Sequence, residues 1–114
     1  MTREEFISGL SRIGNVELRS QPNGQVLAVL SPQPVPGTGR SSRVAFMLSD
    51  SVSSRPPAYV DGDLRTRTGR VPNNWSTVVV GTDVLGTWSF NCPWDPAKDT
   101  PEALVLAVLA QWDR

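Results

Sequence analysis

The stretch from Pro101 to Trp112 reads Pro-Glu-Ala-Leu-Val-Leu-Ala-Val-Leu-Ala-Gln-Trp and is apolar on almost every side. Its spacing predicts a helix in which Leu104, Val105, Val108, Leu109 and Trp112 share one face, widened by Leu106 and Ala107. Asp99 or Thr100 can cap it, Pro101 suits its first position, and Glu102 complements the positive end of its dipole. A helix this apolar must lie on a sheet or be covered by a partner. A chain of 114 residues has room for one core and not two. A single domain over residues 1–114, built around this helix, is the expectation.

The preceding residues supply the rest of that domain. Thr2 and Glu5 form a capping box, and Phe6, Ile7, Leu10 and Ile13 recur at helical spacing, so a helix is predicted over about residues 3–13, ended by Gly14-Asn15. Val16, Leu18 and Ser20 alternate with Glu17 and Arg19, and Pro22-Asn23-Gly24 supplies a turn before a second strand from Gln25 to Leu30. Ser31 to Ser42 holds three prolines and two glycines and reads as irregular. Arg43 to Leu48 is apolar enough for a central strand, and Ser49 to Pro57 is an extended polar segment stiffened by its diproline. Tyr59-Val60 is a short fourth strand. Thr77 to Val80 and Thr87 to Phe90 are strand-like, with turns at Gly81-Thr82-Asp83 and Gly86. This order predicts an α+β fold, with both helices on one face of an antiparallel sheet formed by residues 16–60.

Composition narrows function by exclusion. Eleven basic and eleven acidic residues balance, which argues against a general nucleic-acid binder and against a membrane-surface protein. The chain has no histidine, so Ser-His-Asp and Cys-His catalysis are excluded, and with them most zinc chemistry. Nothing points to a cofactor or a metal. One cysteine cannot form an internal disulfide, and the charged start Met1-Thr2-Arg3-Glu4-Glu5 lacks the apolar stretch of a signal peptide. A soluble cytoplasmic protein is the expectation.

The segment Trp88-Ser89-Phe90-Asn91-Cys92-Pro93-Trp94-Asp95-Pro96 contains that cysteine and two of the four tryptophans. A thiol placed between a strand and a helix N-terminus can be stabilised as thiolate, which makes Cys92 the candidate nucleophile. It can equally be a small buried hydrophobe. Asn73 and Asn74 carry amides able to polarise a carbonyl, or to hold a turn through their own backbone. Arg65, Arg67 and Arg70, interleaved with threonines, form either an anion-binding edge or a solvated arm. Trp75, in a polar loop, is a candidate interface anchor.

Three motif fragments give this order of elements a family likeness. The chain resembles the ubiquitin-conjugating (E2) fold, which RWD domains and inactive variants share, in its compact bacterial form. The family's Tyr-Pro-x-x-Pro-Pro falls on Val52-Ser53-Ser54-Arg55-Pro56-Pro57, its His-Pro-Asn on Val71-Pro72-Asn73, and its Trp-Ser-Pro-Ala on Trp94-Asp95-Pro96-Ala97. The sequence ends after the helix that follows Trp94, without the two C-terminal helices of eukaryotic members. The resemblance implies a role in a ubiquitin-like modifier pathway. An E2 protein carries its modifier as a thioester on a cysteine about eight residues before that tryptophan, where this chain has the cysteine-free Val84-Leu85-Gly86-Thr87.

Three readings stay open at this point. The chain is a protein-binding variant that holds a modifier, its activating enzyme or another protein. Alternatively, it is an active conjugating enzyme with the thioester on Cys92, Asn73 supporting the carbonyl. A small accessory or immunity-type binding protein is the third.

Overall fold

The computed structural model describes residues 1–114. Helix α1 (Arg3–Ser11) is followed by strands β1 (Val16–Ser20), β2 (Val26–Val35), β3 (Arg40–Leu48), β4 (Ala58–Asp61), β5 (Ser76–Val80) and β6 (Asp83–Thr87), then helix α2 (Pro101–Ala110). The strands form one antiparallel sheet in the order β1-β2-β3-β4-β6-β5. The α+β class and the placement of a helix at each end of the sheet sequence agree with expectation. The sheet itself is larger, because the β5–β6 hairpin joins it through β6, next to β4.

Local chemistry explains the helix ends. The Thr2 hydroxyl accepts the Glu5 N–H at 3.1 Å, and the Glu5 carboxylate accepts the Thr2 N–H at 3.2 Å. Hydrogen bonding of that carboxylate to Thr2, the backbone N–H first and then the hydroxyl, holds the Glu5 carboxyl below its usual pKa. α2 is capped by Thr100, whose hydroxyl accepts from Ala103 at 3.1 Å, rather than by Asp99. The Asp99 carboxylate instead accepts from the Asp95 N–H at 2.7 Å and closes the turn before the helix. Both helices stop short of the predicted ends, at Ser11 and Ala110.

Two stretches differ from the sequence reading. Ser31 to Ser42 is not irregular: β2 continues to Val35, and the chain returns as β3 from Arg40 through a turn in which Gly37 and Gly39 take φ of 76° and 67°. The prolines are tolerated because β1 stops pairing at Leu30, so beyond it β2 has β3 as its only strand neighbour. Pro32 falls in the bulge between Leu30 and Gln33. The second difference is at Gly86, which is a strand residue rather than a turn. β6 runs from Asp83 to Thr87, so Ser89 and Phe90 lie outside it.

The sheet has two unlike faces. On one, α1 and α2 pack over Ala28, Leu30, Val44, Phe46 and Val60, with Phe6, Leu10, Leu104, Val108 and Trp112 wholly buried or nearly so. On α2 the predicted apolar face is buried, whereas Leu106 is 69% exposed. The other face has no helix. It holds a small cluster of Leu27, Val29, Ala45 and Leu85, flanked by Met47, Tyr59 and Val80.

Candidate functional site

The loop from Trp88 to Asp99 joins β6 to α2. Trp94 anchors its second half. The indole N–H donates to the Thr100 carbonyl at 2.9 Å, and the ring meets Phe6 edge to face at 5.8 Å, tying the α2 N-terminus to α1. The Asp95 carboxylate accepts the Ala97 N–H at 2.9 Å, so Trp94-Asp95-Pro96-Ala97 is a hydrogen-bonded turn. Cys92, between these parts, is half-buried and packs against the main core beside Phe90 and Trp94.

An aromatic cluster forms the first half. Trp88 stacks on Phe90 at 5.1 Å and meets Trp112 edge to face at 5.2 Å, while Trp75 meets Trp112 at 5.4 Å. The indole N–H groups of Trp88 and Trp112 are buried without hydrogen-bond partners. In edge-to-face packing the neighbouring ring faces serve as weak acceptors. The guanidinium of Arg55, immediately before the diproline, lies 4.2 Å from the Phe90 ring centre and donates to the Phe90 carbonyl at 3.0 Å. Sequence reading missed Arg55, although a cation next to a rigid Pro-Pro is a readable signal.

Trp75 is part of this cluster and half-buried, not a free anchor on a polar loop. Its ring sits against β6 at Gly86, and a Cβ at position 86 would overlap the six-membered part of the indole. Close approach of a ring is what demands glycine here.

Asn73 is exposed and shares a cleft of about 360 Å³ with Ser89, Phe90, Asn91, Gln111 and Arg114. The structure therefore brings Asn73 to Asn91, one residue before the thiol, but Cys92 itself does not line that cleft. Asn74 takes φ of 58°, a left-handed conformation that asparagine tolerates, which places the Asn73-Asn74 pair in a turn. The three arginines do not converge. Arg65 donates to the carbonyls of Leu64 and Gly62 at 2.8 and 3.2 Å, Arg67 pairs loosely with Asp113 at 3.7 Å, and Arg70 is exposed.

A second polar constellation lies on the helix-free face. Asp83 receives Arg19 from β1 at 2.7 Å and Arg43 from β3 at 3.2 Å, and Arg43 also binds Asp61 at 2.7 Å. Hydrogen bonds from Arg43 and from Arg19 hold the Asp83 carboxyl below its ordinary pKa. Sequence pattern places Arg19 on an alternating strand and Arg43 at the start of another, but it puts Asp83 in a turn and does not show which of these residues meet.

The chain matches no family model, no curated protein and no solved structure. No helix is long and apolar enough to cross a membrane.

Proposed function

We propose that this chain is an E2-like protein-binding variant acting in a ubiquitin-like modifier pathway, holding a modifier or its activating enzyme without forming a thioester. One observation carries the reading. Counting back about eight residues from Trp94, where the family resemblance puts the acceptor cysteine, arrives at Gly86, and the Trp75 ring fills the space that any side chain there needs. The position is empty of chemistry and also built over. Cys92 gives no substitute in the same place: it is half-buried against the main core and lies outside the Asn73 cleft. The structural fragments, Pro56-Pro57, Pro72-Asn73 and Trp94-Asp95-Pro96, are those that shape the backbone, which suits a scaffold kept for contact rather than catalysis.

Incubation with a cognate activating enzyme, modifier and ATP tests this. The expected result is a complex detected by nuclear magnetic resonance shifts or pull-down, with no adduct sensitive to reductant. A reducible adduct that disappears in Cys92→Ser overturns the binding-only reading in favour of the catalytic one. Absence of both complex and adduct removes the modifier pathway.

A further inference from the structure

We propose that the free edge of β5 pairs with β5 of a second copy of this chain, antiparallel about a two-fold axis through Val78. The inference is independent of the modifier pathway and rests on the strand itself.

β5 is the terminal strand of the sheet, and four of its five residues are exposed. Val80 and Asp83 pair across the two-residue turn Gly81-Thr82, so the ladder directs the backbone groups of Val80, Val78 and Ser76 toward β6. The N–H and C=O of Val79 and Thr77 consequently point to the open side. Such an edge is ordinarily blunted by charge, proline or a bulge. The opposite edge is: β1 carries Glu17 and Arg19, paired at 2.9 Å, and the Gln21 amide donates to the Arg19 carbonyl at 3.1 Å. β5 reads Ser-Thr-Val-Val-Val and has none of these devices. It also displays apolar side chains, Val79 at 73% exposure beside its cross-strand neighbour Val84 at 51%.

A second copy is the occupant that this edge fits. With the axis at Val78, Thr77 of one chain faces Val79 of the other, and each of these residues has its backbone groups directed outward. All the outward groups of the strand are then satisfied by their own symmetry mates, an isologous contact. Val78 meets Val78 of the second copy as a close non-hydrogen-bonded pair. The register sets Ser76 opposite Val80 and Trp75 opposite Gly81, and no residue from Trp75 to Thr82 is ionisable, so no like charges meet. The chain's formal net charge is zero, which removes long-range repulsion between copies. A five-residue strand buries less than a stable dimer of standard size needs, so association is weak and concentration-dependent.

Sedimentation velocity from about 1 μM to about 1 mM reads such an equilibrium directly. The wild type is expected to shift toward dimer with concentration. Val79→Pro deletes an N–H that faces away from β6, and Val79→Lys adds the charge that natural edges carry; each is expected to weaken association roughly tenfold or more. Leu18→Lys, at an exposed position on the opposite edge strand, leaves it unchanged. Thermal melts by circular dichroism show which variants are folded, and if the proline variant is not, Val79→Lys decides. A wild type that stays monomeric over the whole range overturns the proposal. So does association that survives Val79→Lys, or that is lost in Leu18→Lys.

Discussion

Arg19 Nη2 lies 2.7 Å from Asp83 Oδ2, although their strands, β1 and β6, are four inter-strand steps apart in the sheet. Neighbouring strands are spaced about 4.8 Å, so in a flat sheet four steps exceed what an arginine and an aspartate span together. The sheet therefore curls toward its helix-free face, bringing the β5–β6 turn back over β1 and β3. Asp83, held by Arg43 as well, closes the curl over the Leu27, Val29, Ala45 and Leu85 cluster.

Asp83 should make stability pH-dependent in a defined direction. Its folded-state pKa is lowered, first by Arg43 and then by Arg19. A depressed carboxyl contributes stability that is present above its unfolded value, about 3.9, and is lost as pH falls through the folded value. Asp83→Asn is expected to melt below wild type at neutral pH, with the gap closing below about pH 4. The side chain is 27% exposed, so salt should shrink the gap too. Melting curves of both proteins across pH check this; a gap constant with pH would mean that the Asp83 ion pairs do not hold.

Burial on α2 separates its apolar residues sharply. Leu104→Ala and Leu109→Ala should each cost about 2–5 kcal/mol, while Leu106→Ala should stay within about 0.5 kcal/mol. Denaturant midpoints measure all of them. Equal effects at the three positions would contradict the packing of α2 on the sheet.

Gly86→Ala forces a methyl group into the Trp75 ring and should destabilise by about 1–3 kcal/mol. On a Trp75→Ala background the same change should cost much less, because the obstructing ring is gone. A double-mutant cycle reads this as coupling between the two sites. Additive effects would show that the indole does not lie over Gly86.

Thr100→Ala removes the side-chain acceptor at the α2 N-terminus and should cost about 0.5–2 kcal/mol. The neighbouring Asp99 does not take over, since its carboxylate already binds the Asp95 N–H. Comparing Thr100→Ala with Thr100→Asn, another good cap, distinguishes loss of the cap from loss of the methyl group. Thr100→Asn should retain wild-type stability.

The local signals were legible in the sequence wherever the cause is local. Thr2 with Glu5, Pro101 at the start of α2, the alternation of Val16 to Ser20 and the one-sided burial of Leu104, Val105, Val108 and Leu109 follow from hydrogen-bond geometry and periodicity within a few residues. These features established both helices, the first hairpin and the α+β class. Tertiary structure decided the rest. The prolines of Ser31 to Val35 read as breakers, yet they sit in a strand because β1 ends where they begin. Gly86 read as a turn, yet it is a strand residue under the Trp75 ring, a contact no local pattern encodes. Asn73 and Asn91, 18 positions apart, share a cleft that leaves Cys92 out. Arg19 and Arg43 fall on strands that the sequence predicts and Asp83 in a predicted turn, but only the curl of the whole sheet determined that they meet, with Asp61 beside them. Local chemistry fixes what each segment prefers to be; which segments touch depends on how the sheet bends to bury its second face.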